Sequence, residues 1–101
     1  MMQGDSYNLG IRILNNAGAP ITPDDIIDIE ITIGHLRKTY RNSQISYNDG
    51  RWFFPLSQKE TFSFTPSVVK AQTRVLWKNG VMEGKQIHGI RVNESMSKEA
   101  L

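Results

Sequence analysis

Four carboxylates crowd the stretch TPDDIIDIEITIG of this chain: Asp24, Asp25, Asp28 and Glu30. Clustered carboxylates can hold a divalent cation or exchange protons with a substrate. The spacing here suits neither task well. Asp28 and Glu30 fall on one side of an alternating segment, which sets their side chains about 6–7 Å apart. A cation between them would need carbonyls or a third carboxylate from elsewhere, and no histidine stands at ligand spacing. The only histidines are His35 and His88. No Gly-x-Ser-x-Gly elbow accompanies them, and neither phosphate-binding glycine pattern occurs. His35 follows a glycine and is expected to be exposed. His88 shares parity with Ile90 and Val92 and is expected at the rim of the core. No catalytic, metal or cofactor site is predicted, and the chain does not read as an enzyme.

Two other groups could recognise a partner. Arg37, Lys38, Tyr40 and Arg41 interleave bases with an aromatic ring, and Lys70, Arg74 and Lys78 recur every fourth residue. Basic strands with stacking aromatics can hold single-stranded nucleic acid. Lysines on strands are also a common guard against edge-to-edge pairing. Trp52, Phe53, Phe54, Phe62, Phe64 and Trp77 supply aromatic surface. They could stack on a glycan, or they could fill a core. In a regular strand Trp52 and Phe54 point away from Phe53, so one face of that strand is expected to be an apolar patch for a partner.

These residues must be positioned by strands. Tyr7, Leu9, Ile11 and Ile13 alternate with polar residues. So do Ile27, Ile29, Ile31 and Ile33, whose opposite side carries Asp28, Glu30 and Thr32. Period two predicts half-buried strands, and β-branched residues suit a pleated surface. Leu36–Arg41 reads as a more polar strand. Asn48-Asp-Gly50 predicts a hairpin joining Ile45–Tyr47 to Arg51–Pro55, with Pro55 marking a strand end or edge. Thr61–Thr65 reads as a brief strand. Val69–Trp77 is a long one, turning at Asn79-Gly80 into Val81–Glu83, which pauses at Gly84 and continues as Ile87–Val92. Between strands, Thr22-Pro-Asp-Asp25 and Ser57-Gln-Lys-Glu60 resemble capping boxes, so short helical turns are expected there.

The whole reads as one domain, residues 1–101, with 93–101 as a tail. Its hydrophobic fraction of 39% and charged fraction of 22% suit a folded core. It has no cysteine, so no disulfide can supplement packing. About seven strands predict an all-β, immunoglobulin-like antiparallel sandwich, with a small β-barrel as the alternative. No apolar run is long enough to span a membrane. The start, MMQGDSYNLG, lacks the pattern of a secretory signal, so assembly in the cytoplasm is expected. Charge is uneven. Residues 1–36 carry one arginine against five carboxylates, a net of −4, and residues 37–101 carry +6. Such a bipolar surface could dock copies acid to base.

The stretches GAPITPDDIIDIEITIG, KTY, FPLSQKET, AQTRVLWKNGVMEGKQI and VNESMSKEAL together resemble small structural proteins of tailed phages and prophages of Gram-positive bacteria. The resemblance covers nearly the whole chain. It implies a tail, baseplate-associated or head-surface component with an immunoglobulin-like fold, and it brings no catalytic residues. It implies other phage structural proteins as partners, or a homo-oligomer, and a path from host cytoplasm to virion. Asp28, Glu30, Arg37, Lys38, Tyr40, Arg41, Trp52, Lys70, Arg74 and Lys78 form the candidate interaction surface. Two rivals stand beside this reading: a carbohydrate-binding or capsid-decorating module using exposed aromatics, and a nucleic-acid-binding phage protein. No membrane partner and no cofactor are expected.

Overall fold

The computed structural model describes residues 6–64 and 68–91. The expected tail 93–101 lies outside the described residues, and so does the side chain of His88. The strands are β1 (Tyr7–Ile11), β2 (Ile26–Ile33), β3 (Leu36–Thr39), β4 (Ser46–Asn48), β5 (Arg51–Leu56), β6 (Val68–Trp77) and β7 (Met82–Arg91). One short helix, α1 (Gln58–Phe62), follows β5, and a single 3-10 turn spans Pro23–Asp25. The strands form two antiparallel sheets, ordered β1-β5-β4 and β3-β2-β6-β7. The expected all-β sandwich is therefore present. In an immunoglobulin domain the second strand pairs with the fifth; here β2 lies between β3 and β6.

The core lies between the sheets. Ile29, Ile31 and Ile33 of β2 and Ala71 and Val75 of β6 face Ile11 of β1 and Trp52, Phe54 and Leu56 of β5. Each buried aliphatic side chain contributes about 1.5–3 kcal/mol. Trp52 is fully buried, and its indole N–H donates to the Ile21 carbonyl at 3.0 Å. Tyr40 meets its ring edge-on at 5.2 Å, and Tyr47 packs tilted at 5.1 Å. Trp52 thus ties together β5, β4, the segment after β3 and the segment before β2.

Several local expectations change. Ile27 does not continue the inward row of β2, because the ladder to β6 shifts between Ile26 and Asp28. This bulge turns Ile26 into the core and leaves Ile27 42% exposed. The strand expected at Thr61–Thr65 is replaced at its start by a helix, because Thr61 and Phe62 belong to α1; Thr65 lies outside the described residues. The Ser57 hydroxyl accepts from the Glu60 N–H at 3.1 Å, while Glu60 accepts from the Ser57 N–H at 2.9 Å, so the capping box starts a helix and local alternation loses. Pro55 lies inside β5, opposite Asn8 of β1. It is tolerated because β4 pairs only with Arg51–Phe53 and leaves Pro55 unflanked on that side.

Both hairpin signals produce hairpins of different kinds. Asp49 and Gly50 both have positive φ, 48° and 81°, as a two-residue turn matched to strand twist requires. The β6–β7 turn instead uses three residues, Lys78 to Gly80. The Gly80 N–H donates to the Trp77 carbonyl, the Trp77 N–H donates to the Val81 carbonyl, and Gly80 takes φ 88°. Asn79 caps this turn by accepting from the Val81 N–H at 2.9 Å.

Replacing Trp52 tests how the sandwich is held. Trp52→Phe leaves the Ile21 carbonyl buried and unpaired and opens a small void, so urea unfolding should show a loss of about 2–4 kcal/mol. Phe53→Leu, on the outward side of β5, should cost less than about 1 kcal/mol. Equal costs for the two variants would contradict the central role given to Trp52.

Candidate interaction surface

The ten candidate residues do not form one surface. Lys38 is the clearest departure. It pairs with Ile31 across the β2–β3 ladder, so its side chain points inward. Its ammonium donates to the Pro55 carbonyl at 2.6 Å, meets both Glu60 oxygens at 3.1 Å and sits 5.0 Å from the centre of the Phe54 ring. The side chain is only 15% exposed. Lys38 is a clasp from the β3 edge of one sheet to the end of β5 and the start of α1. An inward charge on an edge strand also resists pairing with another chain.

Trp52, expected on an interaction surface, is fully buried and is out of reach of a partner. Its parity with Phe54 and Leu56 places all three inward. The outward face of β5 carries Arg51, Phe53 and Pro55 instead. Tyr40 is half-buried against Trp52. Arg37, Lys38, Tyr40 and Arg41 therefore face different ways, and no continuous basic groove joins them.

The acidic cluster divides. Asp24 is exposed in the 3-10 turn, where negative charge suits unpaired amides. Asp25 accepts from the Thr22 N–H at 3.0 Å and from the Thr22 hydroxyl at 3.2 Å. Asp28 is structural as well as half-exposed. One carboxylate oxygen accepts from the Ile29 N–H at 2.8 Å and the Arg41 N–H at 2.9 Å, fixing the segment after β3 beside the bulge. Glu30 lies opposite Arg74 of β6, and Arg37 Nε approaches it at 3.9 Å. The acidic stripe is thus balanced within its own sheet. Among the described residues no group of three or more His, Asp or Glu could hold a metal ion.

What the outer face of the four-stranded sheet brings together is mixed. Asp28, Glu30, Arg74, Leu76 and Met82 surround one shallow depression of about 60 Å³. Met82, opposite Leu76 in the ladder, is 49% exposed. Lys70 is exposed further along β6, and Lys78 is exposed in the β6–β7 turn. Across the molecule, β7 turns Glu83 and Lys85 toward the inner side, opposite Val75 and Thr73. They pair at 3.2 Å, and Glu83 accepts from the Trp77 indole at 3.2 Å.

His35 is exposed, as expected, but it has a partner that spacing did not suggest. Its Nε2 lies 3.2 Å from the Ser63 hydroxyl. That hydroxyl donates to the Glu60 carbonyl at 2.5 Å, so toward His35 it accepts. The ring nitrogen then carries the proton, the reverse of a base activating a nucleophile. The signals for Met82 and Glu60 were in the sequence: an apolar residue just after a hairpin, and Ser57-x-x-Glu60.

Comparison with protein-family models, with curated proteins and with solved structures returns no match. Among the described residues no helix is long and apolar enough to cross a membrane.

The Lys38–Glu60 clasp has a pH signature. Burial alone would raise the Glu60 pKa; the Ser57 N–H, the Lys38 ammonium and the Ser57 hydroxyl outweigh it and hold the carboxyl below its ordinary 4.5. The unfolded chain therefore binds this proton more readily. The clasp stabilises the fold above the ordinary carboxyl value, and the contribution is lost as pH falls through the folded-state pKa. Urea midpoints at about pH 7 and about pH 3 should differ more in the wild type than in Glu60→Gln. The variant should be the less stable protein at about pH 7. Identical pH dependence in both would remove this role from Glu60.

Proposed function

We propose that this chain is a structural part of a tailed-phage or prophage particle, in its tail, baseplate or head surface, and that it acts by docking onto other proteins. The observation that carries the proposal is the outer face of the four-stranded sheet. There Met82 and Leu76 lie among Asp28, Glu30 and Arg74. Exposed apolar side chains, methionine included, set among charges of both signs are a common composition for a protein-binding patch. A sheet held by six consecutive β2–β6 register pairs, from Asp28↔Leu76 to Ile33↔Ala71, supplies a rigid platform for it. The resemblance in GAPITPDDIIDIEITIG and the other stretches supplies the particle. Assembly takes place in the host cytoplasm, and the chain then travels with the virion.

The rival readings lose their main residues. Glycan stacking relied on Trp52, which is enclosed. A nucleic-acid groove relied on Arg37, Lys38, Tyr40 and Arg41 together with Lys70, Arg74 and Lys78; Lys38 and Tyr40 are engaged by Glu60 and Trp52, while Lys70, Arg74 and Lys78 stay exposed.

Particles purified from an induced host carrying the gene, then treated with nuclease, should contain the chain in a fixed ratio to the other structural proteins. Mass spectrometry reads this directly. Reproducible absence from such particles would overturn the proposal.

A further inference from the structure

One concavity lies on the flank where β3 has ended and β4 begins. It measures about 560 Å³ and is lined by Ile27, Tyr40, Arg41, Ser43, Ile45, Ser46 and Tyr47. This falls within the about 300–1,000 Å³ typical of binding clefts. Both sheets contribute to it, because Ile27 comes from the β2 bulge and Ser46 and Tyr47 come from β4. At the other end of the same flank, Lys38 and Glu60 close the gap between the sheets. The cleft is the end left open.

One wall of this cleft is a strand edge. β4 is an outer strand of its sheet, and no described strand lies beyond it. Its pairing with β5 is Ser46↔Phe53, Tyr47↔Trp52 and Asn48↔Arg51, across a two-residue turn. In such a hairpin the pair next to the turn exchanges both backbone hydrogen bonds, and the next pair exchanges none. The Tyr47 N–H and C=O therefore point away from β5. No backbone hydrogen bond outside the ladders uses them among the described residues. The Tyr47 side chain is meanwhile fixed against Trp52, so this edge is rigid. Arg41 stands at the rim, exposed, and makes no ion pair among the described residues. Ser43 beside it takes φ 59°, a conformation uncommon outside glycine and more frequent at binding sites.

We propose that β4 takes up a strand from a partner polypeptide. An extended acidic–apolar segment hydrogen-bonds to the Tyr47 N–H and C=O, seats one apolar side chain between Ile27, Ile45 and the two tyrosines, and sets a carboxylate on Arg41. The unused peptide groups call for a peptide, the apolar floor calls for an alternating side chain, and the lone cation calls for an acid. This rests on the docking reading above and gives it a second contact, apart from the Met82 face.

The test uses the full chain, labelled with nitrogen-15, and two blocked peptides. One alternates aspartate with leucine and valine; the other has lysine for every aspartate. The aspartate peptide should shift the Tyr47 and Arg41 amide signals saturably, with Kd below about 1 mM. Arg41→Glu should weaken that peptide at least about tenfold and favour the lysine peptide. The substitution leaves intact the backbone N–H that Asp28 accepts, so the variant should melt like the wild type. No saturable shift at Tyr47 with the aspartate peptide would overturn the proposal, as would an Arg41→Glu variant that binds both peptides like the wild type. Signals at Tyr47 that broaden with protein concentration alone would make a second copy the occupant, and would also overturn it. If the peptides fail while the chain is still found in particles, the edge site falls and the docking reading stands.

Discussion

A single indole holds this sandwich together. The chain has no cysteine, so no disulfide cross-links the two sheets. Trp52 reaches across instead. Its N–H donates to the carbonyl of Ile21, Tyr40 packs against it at a right angle and Tyr47 at a tilt, and no part of it meets water. The consequences spread outward. Tyr40 fixed on Trp52 sets where Arg41 leaves the core, and Asp28 completes that placement by accepting the Arg41 N–H. Tyr47 fixed on the same ring holds β4 at the sheet margin. The open cleft between Arg41 and β4 is thus a product of how Trp52 is packed. Aromatic pairs of this kind add about 0.5–1.5 kcal/mol each beyond their buried area.

The margins of the four-stranded sheet are treated alike. On β3, Lys38 turns inward to Glu60; on β7, Lys85 pairs with Glu83 on the inner side. Charges turned inward at an edge oppose strand addition, because a docking chain would have to strip water from them. The β4 edge has no such guard among the described residues. It carries Ser46, Tyr47 and Asn48. The contrast between guarded and unguarded margins in one small domain is what directs attention to β4 as the place where another chain can add.

Much of the fold was legible because it rests on local chemistry. Alternation in DIEITI and in VKAQTRVLW set the inward faces of β2 and β6, and the capping boxes at Thr22 and Ser57 marked both helical turns. The illegible parts depend on non-local choices. Ile26 and Ile27 are adjacent, so one must face out, but which one depends on where the ladder to Trp77 slips. Thr61 and Phe62 alternate like a strand, yet the Ser57–Glu60 box upstream commits them to a helix. The candidate surface fared less well. RKTYR looked like one basic stripe, whereas strand parity sends Lys38 inward and Arg37 outward. Trp52 looked available because composition cannot say which side of β5 meets the other sheet. The Met82 face emerges only once β2, β6 and β7 are aligned in register.

Assembly through a rigid sheet face is the function we propose, and Met82 is a natural reporter of it. Methionine is oxidised readily when solvent reaches it. Hydroxyl-radical footprinting of the isolated chain and of the chain within purified particles compares the same sulfur in two settings. Docking through the outer face predicts that Met82 oxidises readily alone and is protected several-fold in the particle. Equal oxidation of Met82 in both settings would show that this face stays bare, contradicting docking through it.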